Sequence, residues 1–349
     1  MEKTDIKSLP RKQLEAWMVD LGEKKFRAGQ LYQWMHVKLA DSIDAMTNLP
    51  ESLRERLKED CVYTVLKQVT MQESALDGTR KYLFELADGN MVESVLMRYR
   101  HGNSVCISSQ AGCRMGCRFC ASTLDGLVRN LTPAEMLEQI YRISADIGER
   151  VSNVVVMGTG EPLDNYENLL IFIRMLTDEN GLHISQRNLT VSTCGLVPKM
   201  RLLAEEKLQI TLALSLHASS QEKREQLMPV AKAYDLSAVI DACRYYFSKT
   251  GRRVTFEYSL VAGINDGTGD AKQLAGLIKG LNCHVNLIPV NPIKERDFVQ
   301  PGNRAVQDFK NKLEKCGINV TIRREMGGDI DGACGQLRKS YMDNQEKNL

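Results

Sequence analysis

Residues 1 to about 60 carry apolar positions at helical spacing. Leu14, Trp17, Met18 and Leu21 fall at i, i+3, i+4 and i+7, one face of a helix that Gly22 ends. A second helix is predicted from Arg27 to about Leu39, with Leu31, Trp34 and Met35 inward. Pro50 opens a third, with Leu53 and Leu57 buried. From about Tyr63 the period shortens to that of strands. Tyr82–Leu86 and Met91–Met97 flank Asp88-Gly89-Asn90, a hairpin signal. Arg98 to His101 then form a basic link.

Beyond residue 101 a strand-then-helix rhythm sets in. Strands are predicted at Ser104–Ser108, Asn153–Met157, Asn188–Thr193, Gln209–Leu216, Arg253–Leu260, His284–Pro289 and Asn319–Arg323. Among the helices between them, one starts at Thr132-Pro133-Ala134-Glu135, where an N-cap Thr, a Pro and a Glu at the third position combine. Others are predicted near Pro198–Glu205, Ser237–Ser248, Ala271–Lys279 and Arg304–Cys316. Alternating β and α units imply a parallel sheet with right-handed crossovers. About six repeats suit an open, partial (β/α)6-type barrel better than a closed eight-fold one. The fold class is therefore α/β. Residues 1–62 form a small helical accessory domain, 63–101 a β-hairpin linker, and 102–349 the barrel.

Composition adds bounds. A chain of 349 residues fits one large domain and a smaller one at about 150 residues per domain. Its 46 Lys and Arg balance 44 Asp and Glu, a net charge of +2. Any basic surface for nucleic acid must then be local, and the Lys24, Lys25, Arg27 corner is either solvated or touches RNA phosphates. Nothing approaches the roughly 18 apolar residues of a membrane span, and Met1 to Lys7 lacks the apolar core of a signal peptide. Ten cysteines in such a chain are expected to be reduced thiols in the cytoplasm.

The chemistry centres on Cys113-Arg-Met-Gly-Cys117-Arg-Phe-Cys120. Three thiolates on one short loop can converge on a soft metal centre. A closed zinc site would normally show a distant second pair. A [4Fe–4S] cube held by three cysteines keeps one iron open. A zinc knuckle and incidental surface cysteines stay open as readings. The C-x3-C-x2-C spacing resembles the signature of radical S-adenosylmethionine (SAM) enzymes, in which the open iron chelates SAM.

In a parallel β/α array, ligands sit beyond the carboxyl ends of strands. Four such ends carry suitable groups. Met157-Gly-Thr-Gly160-Glu161-Pro162 could hold an ammonium with glycine carbonyls and Glu161. Ser192-Thr-Cys-Gly195 and Ser215-Leu216-His217 offer hydroxyls and a ring nitrogen, which could equally be caps. Asn291, before a proline, could read a purine edge or ribose, or belong to a rigid turn. Cys334, in the Gly-rich run Gly327 to Leu337, reads as an accessible thiol or a turn residue. Cys243 and Cys316 lie on helical patterns and read as inert. Cys106 reads as a buried strand cysteine, and Glu93 as a solvent-facing strand residue.

Taken in order, the cysteine loop, Met-Gly-Thr-Gly-Glu-Pro, Ser-Thr-Cys-Gly, Ser-Leu-His, Val-Asn-Pro and Asp329-Ile-Asp-Gly-Ala-Cys-Gly-Gln-Leu337 resemble the RlmN/Cfr family of radical-SAM RNA adenosine methyltransferases, from about Glu93 to Leu337. The helical N-terminal part resembles the family's RNA-binding accessory domain more loosely. The resemblance implies Cys113, Cys117 and Cys120 as ligands of one [4Fe–4S] cluster per chain. It implies Gly160, Glu161, Ser192, Ser215, Leu216, His217 and Asn291 as SAM contacts. It implies Cys334 as the residue that carries the methyl group, Cys106 as the resolving thiol that leaves a disulfide, and Glu93 as the proton acceptor. The Asp329-Ile-Asp run looks more like the form that methylates adenine carbon 2, with 23S rRNA and the tRNA adenosine 3′ of the anticodon as substrates. The carbon-8 relative associated with antibiotic resistance, and a non-catalytic Fe–S or zinc RNA-binding protein, are the alternatives. The resemblance also implies an external flavodoxin- or ferredoxin-like electron donor, no membrane partner and a monomer. Gly332 stands where Ala is more usual in the family.

Overall fold

The structure, a computed structural model, describes residues 3–291, 297–332 and 335–346. Cys334 lies outside them. The N-terminal helices are α1 (Arg11–Asp20), α2 (Lys25–His36) and α3 (Glu51–Asp60). They bury Leu14, Met18, Leu31, Met35, Leu53 and Leu57, while Trp17, Leu21 and Trp34, marked by the same periodicity, are half-buried against this core. A two-residue strand β1 (Thr4–Asp5) pairs with β2 (Cys61–Val62) and ties the start of this unit to its end.

Then follow β3 (Lys67–Glu73), β4 (Arg80–Glu85), β5 (Met91–Tyr99), β6 (Gly102–Ile107), β7 (Gln110–Gly112), β8 (Leu127–Asn130) and α4 (Pro133–Ile147). The barrel continues with β9 (Val151–Val156), α5 (Tyr166–Leu176), β10 (Leu189–Thr193), α6 (Val197–Glu205), β11 (Thr211–Ser215), α7 (Gln221–Leu227), α8 (Leu236–Thr250), β12 (Val254–Leu260), α9 (Thr268–Leu277), β13 (Cys283–Pro289), α10 (Asn303–Lys315), β14 (Val320–Ile322) and α11 (Gln336–Glu346). The strands β6 and β9 to β14 pair in parallel, in chain order. This is the open, partial β/α barrel. The hairpin strands β3, β4 and β5 join antiparallel to β6 and continue the same sheet.

Strand alternation sorts the barrel. Val105, Ile107, Val154, Val156, Val191, Leu214, Phe256, Tyr258, Val285 and Leu287 enter the main core with the helices. The residues between them, including Cys106, Ser192, Ser215, Glu257 and Asn286, take the other, inner face. α4 starts as its sequence predicts: Glu135 N–H donates to Thr132 Oγ1 (3.2 Å), and Thr132 N–H donates to the Glu135 carboxylate (2.9 Å). The same helix receives the N-terminal unit through a buried ion pair, Lys7 Nζ to Glu138 Oε1 at 2.7 Å. Cys243 is buried as expected, whereas Cys316, just past the end of α10, is exposed. Among the described residues no helix is long and apolar enough to cross a membrane.

Candidate active site

The cysteine loop is bracketed by the short β7–β8 hairpin, which the sequence pattern does not reveal. Cys113 N–H donates to Gly126 O (2.8 Å), and a Cβ at Gly112 (φ +74°) would overlap that carbonyl. Only glycine closes this turn without strain. Inside the loop Thr123 Oγ1 donates to the carbonyls of Cys117 (3.2 Å) and Cys120 (3.0 Å). Arg118 N–H donates to Leu227 O (2.9 Å) and ties the loop to α7. Arg114 pairs with Asp164 on the turn after β9.

Cys113 and Cys117 are buried, and Cys120 is partly exposed. Burial pushes the Cys113 thiol up to about 12, with nearby Cys120 adding to the rise. The Cys117 thiol is raised by burial first and then by Cys120 and Cys113. The three sulfurs are therefore close enough to oppose one another's ionisation, and burial without a cation disfavours all charged forms. Among the described residues no three His, Cys, Asp or Glu side chains converge as one metal ion requires. A cube spreads its thiolates over separate irons, and the three cysteines of this one loop are of the donor type such a group takes.

A second observation supports the fit. Arg224, on α7, is 0% exposed, and its Nη1 is buried with no hydrogen-bond partner among the described residues. An unmet buried donor costs about 1–3 kcal/mol. Cys117 is among the thiols whose charge this guanidinium feels. The sequence hides Arg224 within Gln221-Glu-Lys-Arg224-Glu-Gln, which reads as a solvated helix face.

Around this loop lie the strand ends. Glu161 is 4% exposed, and burial raises its carboxyl pKa. Its Oε2 accepts Cys194 N–H (2.7 Å) and its Oε1 accepts Leu163 N–H (3.1 Å). The carboxylate thus clamps the β9 and β10 turns together. Gly160 (φ +109°) packs on β7, where a Cβ would come within 2.6 Å of Gln110 Cβ. This glycine has a packing reason that holds with no ligand present. Ser192 Oγ and Ser215 Oγ lie 3.4 Å apart on the inner face. Leu216 is buried in the core. His217 is buried at φ +57°. Its Nδ1 accepts Ser259 N–H at 2.9 Å, which leaves the neutral ring's proton on Nε2. Burial, reinforced by Arg224, pushes its pKa down to about 3. Its ring meets Phe119 of the cysteine loop edge-on, with centroids 4.8 Å apart. Asn291 is exposed just past β13.

Glu93 corrects the expectation of a solvent-facing residue: it is 4% exposed. Because β4 and β5 extend the barrel sheet, their second face is an inner face, covered by the C-terminal segment. Lys81 Nζ lies 3.0 Å from Glu93 Oε2, with both side chains buried. Gly335 N–H donates to the same oxygen (2.6 Å), and Arg338 N–H donates to Oε1 (2.7 Å). Lys81 was not legible as a site residue, since an alternating strand with a lysine normally places it in water. Replacing Lys81 with Met would leave a buried carboxylate without its cation. The expected loss is about 3–5 kcal/mol of stability, checked by denaturant unfolding, and Lys81→Met combined with Glu93→Leu is expected to recover much of it. A single variant as stable as the parent would contradict this.

Cys106 lies on the inner face of β6, paired with Val95, two residues along β5 from Glu93. The loop before Cys334 is fixed to the hairpin. Asp329 Oδ1 accepts Ser74 Oγ–H (2.5 Å) and Oδ2 accepts Ala75 N–H (2.8 Å), while Asp331 N–H donates to Gln72 Oε1 (2.9 Å). The chain on both sides of residue 334 is thus held on the face that carries Glu93 and Cys106.

Residues 4–62 match the ribosomal RNA large subunit methyltransferase N-terminal domain, and residues 107–275 match the Radical SAM superfamily. Proteins named "Probable dual-specificity RNA methyltransferase RlmN" are similar over nearly the whole chain. The one from Lachnospira eligens is 67% identical over 97% of both chains. That from Lachnoclostridium phytofermentans is 61% identical over 100% of this chain and 99% of its own. The crystal structure of a radical SAM methyltransferase from Sphaerobacter thermophilus superposes with a TM-score of 0.92 at 42% identity, covering 95% of this chain and 98% of that one.

Proposed function

Because this chain belongs to the RlmN family of radical-SAM RNA methyltransferases, we propose that it methylates carbon 2 of adenosine in 23S rRNA and in tRNA, 3′ of the anticodon. The observation that carries the methyl-carrier chemistry is the placing on one inner face of Glu93, Cys106 and the segments flanking Cys334, while the choice of carbon 2 rests on the likeness to the RlmN relatives. The helical unit 1–62 is the accessory RNA-binding part, 63–101 the hairpin that holds the C-terminal loop, and 102–349 the catalytic barrel.

Cys113, Cys117 and Cys120 would hold a [4Fe–4S] cluster. SAM bound there supplies a hydrogen-abstracting 5′-deoxyadenosyl radical when the cluster is reduced by an external donor. Glycine backbone near Gly160, the Ser192 and Ser215 hydroxyls, His217 Nε2–H and Asn291 orient SAM. Glu161 clamps the β9 and β10 turns through its two oxygens, each of which keeps a further lone pair for the ammonium of SAM.

Carbon 2 of adenine is not a nucleophile, so a direct polar methyl transfer cannot reach it. Cys334 solves this as a carrier. Its thiolate first takes a methyl group from one SAM by displacement, and S-adenosylhomocysteine leaves. The S-methyl group then loses one hydrogen atom, and the resulting carbon adds to the ring. Glu93 accepts the ring proton, in a position where Lys81 offsets the charge of its carboxylate, and the one electron left on the adduct would return to the cluster. The Cys106 thiolate attacks the Cys334 sulfur and breaks its bond to the bridging carbon, which takes up a proton to become the methyl group, and a disulfide is left for external reduction.

Nucleoside mass spectrometry of 23S rRNA and tRNA treated with the enzyme is expected to show 2-methyladenosine. Finding 8-methyladenosine in its place would transfer the chain to the carbon-8 group, and finding neither would favour a non-catalytic RNA-binding role.

A further inference from the structure

Arg224 presents a cation that the proposed reaction does not use. Two of its donors are spent on the chain: Nε–H on Leu216 O at 3.3 Å and Nη2–H on Cys194 O at 2.5 Å. The guanidinium therefore bridges the ends of β10 and β11. Nη1 is buried and has no partner among the described residues. Arginine stays protonated in proteins, so a positive charge sits here with two carbonyls on it and, among the described residues, no partner at Nη1. Cys117 and Cys194 line the adjoining apolar cluster with Leu227, Met228, Val261 and Val290. An anion created among these side chains would be costly without a counter-charge. A cube held by three thiolates is a net anion, and accepting an electron makes it more negative. Net charge and hydrogen bonds to the sulfurs set the potential of such clusters.

We infer that Arg224 is the counter-cation of the cluster: its Nη1–H donates to the sulfur of Cys117 once that sulfur is an iron-bound thiolate, and its charge makes the cluster easier to reduce. The inference rests on the assignment of Cys117 as a ligand. Arg224 touches no reacting atom and acts as a positioning residue, through a charge-assisted hydrogen bond.

The test is a potentiometric titration followed by EPR, on protein reconstituted anaerobically with iron and sulfide and without SAM. Arg224→Gln is expected to keep its iron and sulfide and to shift the reduction equilibrium at least tenfold against the reduced form, 59 mV for a one-electron couple. Arg224→Lys keeps the charge and is expected to restore most of that shift. An unchanged midpoint in a fully loaded Arg224→Gln protein overturns the inference. So does an equal shift in the Lys and Gln variants, since the carbonyl bridge alone would then explain both. A shift seen only when SAM is added would assign the cation to the SAM carboxylate and overturn it as well. Should the variants fail to fold, the wild-type protein decides. With nitrogen-15-labelled arginine, pulsed EPR of the reduced cluster is expected to show coupling to a guanidinium nitrogen, and its absence is contrary. A wild-type protein that binds no cluster overturns the ligand assignment along with the inference, whereas a loaded cluster with an unmoved midpoint leaves that assignment standing.

Discussion

Cys334→Ala is expected to abolish RNA methylation, with no detectable methyladenosine after prolonged incubation. The reason is chemical: without this sulfur the one-carbon unit has no place on the protein from which a hydrogen atom can be taken. The architecture around the residue supports the role. Asp329 is bound to Ser74 and Ala75, Asp331 to Gln72, and Gly335 N–H to Glu93 Oε2 at 2.6 Å. Liquid chromatography of digested RNA measures the outcome. Methylated product above background in this variant would remove Cys334 from the mechanism. SAM cleavage to 5′-deoxyadenosine is expected to persist, because the residues assigned to cluster and SAM are untouched.

Cys106→Ala is expected to stop the reaction one stage later. Methyl transfer to Cys334 and addition to the base remain possible, while release does not, so RNA accumulates covalently on the protein. Denaturing electrophoresis with labelled RNA resolves this adduct, and digestion places the crosslink on the Cys334 peptide. The expectation follows from β6. Cys106 pairs with Val95 on the face shared with Glu93, the residue to which Gly335 and Arg338 are bonded. Multiple turnover in Cys106→Ala without an adduct would dismiss the resolving role.

The N-terminal helices and the parallel strands of the barrel were legible because local signals agreed with the global fold, whereas β7, β8, α7 and α11 carried no such signal. The Thr132–Glu135 capping box, the Asp88-Gly89-Asn90 turn and the apolar stripes of α1 to α3 each describe what the structure contains. Glu93 and Lys81 were illegible for a definite reason. Alternation tells that two faces differ, and not which face a neighbouring segment will cover. Here the cover comes from residues 335–338, more than 240 positions away in sequence. Arg224 was illegible because a polar helical stretch with one buried arginine has the same pattern as one fully in water. The glycines of the strand ends carried the opposite ambiguity. At Gly160 the close approach of Gln110 already demands glycine, so its presence alone was not evidence for a ligand.

The central claim is that the new methyl carbon passes through a protein sulfur and loses a hydrogen atom on the way. Reaction with SAM bearing a fully deuterated methyl group tests it most directly. The account predicts 2-methyladenosine whose methyl group retains two deuterium atoms, with the third recovered in 5′-deoxyadenosine. A product methyl group that keeps all three deuterium atoms would show direct transfer and contradict it.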